Sequence, residues 1–297
     1  MKAAQSGKSC FMATLEPTSL LSLRTKLTTR IAALVFWCVL LGTTSGAAEL
    51  KQKTATAFNH YVSVSEGRMA SDLAQNRFLW MDGLPEPRRH ALYDRLLRGD
   101  VIVQHLETRD TGRRIPIPDG LVHHWVAVMF IQGVTLTQTL DLLQDYKHQQ
   151  NIYRSAIARS ALLKRDGDDF AVCFRLFYRG VVTVAYDANF DVQYTRVDAD
   201  RELSRSVSTR IVEIDDPGMP AEHERPAGSD RGFLWRLYTY GHYEEKNGGV
   251  YMQLEVIALS RSVPVVFAWF VKPYLKKIPT GYLSEILKST RDALNGR

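Results

Sequence analysis

Three cysteines in 297 residues are too few to staple a fold together by disulfides. Two of them, Cys10 and Cys38, lie in the first 48 residues, so Cys173 is left without an intrachain partner. No histidine stands close to it in sequence to stabilise a thiolate, and it reads as a small apolar residue on a strand. HExxH, paired CxxC, a P-loop, a strand-to-helix GxGxxG and Gly-x-Ser-x-Gly are all missing. With them go the usual signatures of a metalloprotease, a structural zinc, a nucleotide site and an α/β-hydrolase. The Asp166-Asp168-Asp169 cluster reads as a hairpin turn, and it lacks the glutamate that closes an EF-hand loop. No metal and no cofactor is expected. Internal repeats and low-complexity tracts are also absent.

The formal charge of +6 is weaker evidence of a basic surface than it looks. Residues 1–48 hold five basic side chains against Glu16 alone, which leaves 33 basic against 31 acidic, with the two signs interspersed. A nucleic-acid partner, which needs a concentrated basic face, is not expected. With 45% hydrophobic and 24% charged residues, the chain suits a globular protein with a sizeable core.

Residues 31–42 form an uninterrupted apolar run, preceded by Arg24, Lys26 and Arg30 and followed by Thr43-Thr44-Ser45-Gly46-Ala47-Ala48. Charge, apolar run and small residues in that order are the layout of a secretory signal peptide, with cleavage near Ala47 or Ala48. The run is shorter than the roughly twenty residues that cross a bilayer. Trp37 before Cys38 does not suit a lipobox, and Met12 is an alternative start. The mature product is expected to be secreted or periplasmic.

After this leader (1–48), residues 49–115 read as a mainly helical extension. Apolar spacing from Phe58 to Leu73 and a second short helix at Arg88–Arg98 precede a strand at Asp100–Glu107. Residues 116–297 read as one further domain. A strand at Leu121–Ile131 and a helix at Leu136–Asn151, capped by Thr135 or Thr137, come first. Strands follow at Ala158–Lys164, Phe170–Tyr178, Val181–Tyr186, Val192–Val197, Ser204–Asp215, Gly232–Glu244 and Val250–Ser260. Their short connections imply antiparallel pairing. A last helix from Pro279 or Thr280 turns Leu283, Ile286, Leu287 and Leu294 to one side.

Two stretches resemble the START/SRPBCC superfamily, as in an exported bacterial-type member. In Thr137–Arg165, a helix carrying Leu142-Leu143-Gln144-Asp145-Tyr146-Lys147-His148 runs through Ile152-Tyr153 into a strand at Ser160–Leu163. In Leu254–Leu294, a strand ends at Ser260-Arg261-Ser262-Val263-Pro264, with Trp269, Pro273 and Ile278-Pro279 before the closing helix. The likeness covers about residues 120–297. It implies an α+β helix-grip fold, a curved antiparallel sheet wrapped around a long C-terminal helix. It also implies an internal cavity for a hydrophobic small molecule or lipid, although the superfamily includes lipid carriers, cyclases and oxygenase domains.

The last hairpin bears the most chemistry. Centring its turn on Asn247-Gly248 sets Tyr240 opposite Glu255 and Tyr238 opposite Ile257. One face then holds Arg236, Tyr238, Tyr240, His242, Glu255 and Ile257; the other holds Leu237, Leu254 and Val256. The resemblance implies that the Glu255 face looks into the cavity, with Arg236 and Glu255 paired beside the tyrosines. Alternation alone leaves the reverse open, because the opposite face is more apolar. Phe174 and Leu176 on the strand Phe170–Tyr178, with Leu283 and Leu287 on the last helix, complete the expected ligand-binding set. Carriage of a ligand without chemistry is the first functional reading. A cyclase or aromatase using Tyr238, Tyr240, His242 or Glu255 as acid–base groups is the second. The connection 215–231 reads as either a lid or a plain surface loop.

Overall fold

A computed structural model describes residues 50–179, 183–226, 228–262 and 265–296. The expected leader lies outside them. Helix α1 (Gln52–Ala74), a 3-10 turn (Trp80–Gly83) and helix α2 (Glu86–Leu97) come first. Strand β1 (Val101–His105), the small ladder β2 (Arg109–Asp110) and β3 (Arg113–Arg114), and the long β4 (Gly120–Gln132) follow. Helices α3 (Leu136–Gln144) and α4 (Gln149–Ile152) lead into β5 (Ile157–Asp166), β6 (Asp169–Arg179), β7 (Thr183–Arg196) and β8 (Arg201–Asp215). A short β9 (His223–Glu224), the hairpin β10 (Arg236–Lys246) and β11 (Gly249–Arg261), and the terminal helix α5 (Val265–Asn295) complete the order.

The main sheet runs β1-β4-β11-β10-β8-β7-β6-β5, with β9 attached to β8. All its neighbouring strands are antiparallel. Helix α5 meets both edges. Arg291 donates from Nη1 to the Gly99 carbonyl just before β1 at 2.8 Å. Tyr282 and Ile286 cluster with Ile157 of β5 and Leu176 of β6. One helix reaches both edges only if the sheet curls around it, so this is the expected helix-grip fold of the α+β class.

Strand alternation divides the interior into two cores. On the inner face, Trp125, Ala127, Met129 and Ile131 of β4 and Val250, Met252 and Leu254 of β11 pack in one cluster with Leu283, Leu287 and Leu294 of α5. The outer face of β4, β10 and β11 is covered by the N-terminal extension. Phe58, Tyr61 and Val62 of α1 meet Tyr240, Ile257 and Leu259, while Phe78, Leu79, Met81 and Leu96 meet Val126, Val128, Phe130 and Tyr251. Strands β4 and β11 are therefore buried on both sides, and the unbroken apolar run Trp125–Ile131 is the sequence mark of it.

Three element boundaries differ from expectation. The helix expected over 136–151 ends at Gln144, where Asp145 leaves helical geometry and its carboxylate takes the His148 ring at 2.8 Å. Thr135 is its cap, accepting from the Gln138 N–H at 3.2 Å. The two strands expected at Val181–Tyr186 and Val192–Val197 are one, β7, because the intervening Asp187 is not in a turn. It is buried on the sheet and neutralised by Arg175, whose Nη2 lies 2.9 Å from Oδ2. The terminal helix starts at Val265 rather than at Pro279 or Thr280. A proline suits a first helical turn, but it also sits inside a helix at the loss of one backbone bond.

Candidate functional site

The hairpin register is as expected, with Tyr240 across from Glu255 and Tyr238 across from Ile257. Asn247 and Gly248 both take positive φ, 59° and 73°, the conformation that a two-residue hairpin turn demands. The face assignment is corrected. Helix α5 packs on the face of Leu254, and Val256 and Leu237 pack against the same cluster, so Glu255 and its neighbours look away from the grip. Each meets the N-terminal extension instead. The Tyr238 ring stands edge-on to Phe58 at 5.6 Å, Tyr240 donates to Glu66 at 2.8 Å, and Ile257 is fully buried beside Phe58. The cation on Glu255 is Arg68 of α1, not Arg236, which folds back to donate to the Trp235 carbonyl at 2.9 Å.

Around Glu255 lies a closed polar network. His124 Nε2 lies 2.7 Å from the carboxylate and its Nδ1 lies 2.9 Å from the Tyr61 hydroxyl, which accepts from the Thr108 N–H at 2.8 Å. Burial pushes the Glu255 pKa up, but the His124 bond and the Arg68 charge outweigh it and hold the carboxylate below its usual range. His242 donates from Nδ1 to the Phe78 carbonyl at 2.7 Å, and burial lowers its pKa. His123 and His124 point to opposite faces, as adjacent strand residues must; His123 meets Ser260 Oγ at 2.9 Å on the inner side. The four acid–base candidates Tyr238, Tyr240, His242 and Glu255 thus belong to the seam between sheet and extension, away from any grip cavity.

One opening lies at the β5 edge. A cleft of about 730 Å³ lies between the β5–β6 edge, the 217–222 loop and the Gly281–Glu285 turn of α5. Ala158, Phe177, Tyr178, Ala185, Pro217 and Tyr282 form its apolar walls; Arg154, Arg159, Arg175, Glu222 and Glu285 add charge. Glu222 ties the loop down, accepting from Arg175 Nη1 at 2.6 Å and from the Gly218 N–H at 2.6 Å. Burial raises its pKa, yet those two donors leave it lowered. Burial pushes the Tyr282 hydroxyl up to about 12.

None of the nine expected residues lines this cleft. Phe174 and Leu176 stand directly behind it, in one cluster with Tyr282 and Ile286. Leu283 and Leu287 are solid core. The lining that sequence reasoning left out includes Tyr178 and Tyr282. Both continue stripes read as core, and the available signal was a hydroxyl at the end of each apolar stripe. Among the described residues, no helix is long and apolar enough to cross a membrane, and no three His, Cys, Asp or Glu side chains gather as a metal site.

No family model matches the sequence, and no curated protein does. Several solved structures are similar in fold. A STAR-related lipid transfer protein fragment from Xanthomonas axonopodis is 13% identical, with a TM-score of 0.43, over 64% of this chain and 98% of that one. The Zhui aromatase/cyclase from Streptomyces sp. R1128 is 8% identical, with a TM-score of 0.39, over 59% and 94%. Norcoclaurine synthase from Thalictrum flavum is 10% identical, with a TM-score of 0.37, over 60% and 97%. The chain's own architecture is the expected helix-grip one, an antiparallel sheet curled round a long closing helix.

Proposed function

We propose that the protein binds a small apolar molecule, a lipid by class, in the cleft between α5 and the β5–β6 edge, and carries it without chemistry. The single observation behind this is the cleft itself. Its volume of about 730 Å³ falls within the span of small-molecule sites, and its walls are largely aromatic and aliphatic. The four acid–base groups named for a cyclase reading, Tyr238, Tyr240, His242 and Glu255, are covered by the extension and do not line the opening. The leader supports action outside the cytoplasm.

Gly281 offers a clean test. It lines the cleft, and a side chain built there meets nothing within 4 Å. Gly281→Phe fills the opening while replacing a poor helix former. Native mass spectrometry of protein purified from its own envelope should show a bound lipid on the wild type and none on Gly281→Phe, with the thermal midpoint kept. A wild type that is always empty and unresponsive to lipid mixtures would end the proposal. N-terminal sequencing of the same material should begin near Ala48.

A further inference from the structure

Tyr186 is the one inward tyrosine on β7 whose hydroxyl has no hydrogen-bond partner among the described residues. It is 8% exposed. Its direction follows from the ladder. Ala188, Phe190, Val192 and Tyr194 of the same strand all lie in the inner core, so Tyr186, in step with them, also faces the grip. Across β6 it pairs with Leu176, and Tyr178, a wall of the cleft, is its diagonal neighbour on the same face. Diagonal neighbours lie about 7–8 Å apart, within reach of long side chains.

The next strand sets the charge of this spot. Glu213 of β8 pairs with Tyr186, and it is 1% exposed. Both its oxygens are occupied by Arg231, one by Nη1 at 2.9 Å and the other by the backbone N–H at 2.8 Å. The carboxylate and guanidinium cancel, and neither oxygen takes a hydrogen bond from the tyrosine. Burial raises the Tyr186 pKa, with Glu213 and Asp230 adding to it, so the hydroxyl stays protonated and is a donor in search of an acceptor.

We infer that the Tyr186 hydroxyl reads the head of the ligand, donating to an uncharged oxygen: an alcohol, ketone or ester carbonyl at one end of an apolar molecule. This rests on the binding proposed above and narrows its substrate class. An anionic head would be buried beside an Arg231 already engaged by Glu213 and is disfavoured; a bare hydrocarbon leaves the hydroxyl unsatisfied.

The experiment compares 2-dodecanone, dodecanoate and dodecane in displacing a fluorescent apolar probe from wild type and from Tyr186→Phe. One buried hydrogen bond is about fivefold to tenfold in affinity. Wild type should prefer the ketone to the alkane by that factor, with dodecanoate weaker than the ketone. Tyr186→Phe should bind ketone and alkane alike, and its empty form should melt no lower than wild type, because it has lost an unpartnered hydroxyl. A preference that survives in Tyr186→Phe, or dodecanoate as the tightest wild-type ligand, overturns the head-group assignment and leaves cleft binding standing. Failure of every probe on the wild type overturns both, and the unchanged response of Gly281→Phe then marks the cleft as the failed element. Should the variant lose its fold, the wild-type series alone decides.

Discussion

His124 of β4 and Glu255 of β11 meet at 2.7 Å through Nε2 and Oε1, both essentially without solvent contact. They sit on the sheet face turned toward the N-terminal extension. Glu255 is thus a tie between two layers of the molecule and has no contact with the cleft.

Removing that tie should cost stability and leave binding alone. Breaking a fully buried ion pair costs about 3–5 kcal/mol, and Arg68 still reaches water, so Glu255→Gln is expected to lose about 2–3 kcal/mol. A urea titration reads the loss. Displacement of an apolar probe from the same variant should be unchanged, and weakened binding with an unaltered midpoint would return Glu255 to the ligand site.

Acid should loosen the fold in a defined window. Burial, with His105 nearby, lowers His123 to about 4, and His242 is lowered as well. An unfolded histidine titrates near 6.5. From about pH 6.5 down to about 4, the unfolded chain gains protons that the folded chain refuses, so stability is full above that window and lost through it. The lowered Glu255 and Glu222 extend the loss at the acid end, because their contribution is present above the usual carboxylate pKa and disappears below it. His123→Gln should flatten the slope by on the order of 2–3 kcal/mol between pH 7 and pH 4. Urea midpoints across that range measure it; a slope identical to wild type counts against the histidine.

The terminal helix is core as well as closure. Leu283→Ala with Leu287→Ala should cost about 2–5 kcal/mol per site, enough to bring a domain stable by about 5–15 kcal/mol near unfolding. Exposed Lys288→Ala should stay within about 0.5 kcal/mol. An unchanged denaturation midpoint for the leucine pair would mean that the helix is a detachable lid.

What could be read in advance divides along a physical line. Local rules sufficed for the hairpin register, because Asn247-Gly248 dictates its own turn, and for the leucine stripe of α5. The choice of inner face was not local. Gln253 and Glu255 look like surface residues on a half-wet strand, yet both are 1% exposed. Their partners are the Trp80 N–H, 173 residues earlier, and Arg68, 187 residues earlier. Asp187 misled in the same way, its charge cancelled by Arg175 on the neighbouring strand. The cleft was hidden because its walls come from a β5 bulge at Ile157–Arg159, a loop and one turn of helix, none of which announces itself by periodicity.

The seam between extension and sheet has a consequence in time. Helix α1 is made well before the strands β10 and β11 that it covers, with Arg68 waiting 187 residues for Glu255. Closing loops of that length is slow, and until it happens Phe58 and Val62 have no shelter. A nascent chain of this kind cannot finish the layer that α1 belongs to until β10 and β11 are free. A holding chaperone, or transport in the unfolded state, would meet it in the form it keeps longest.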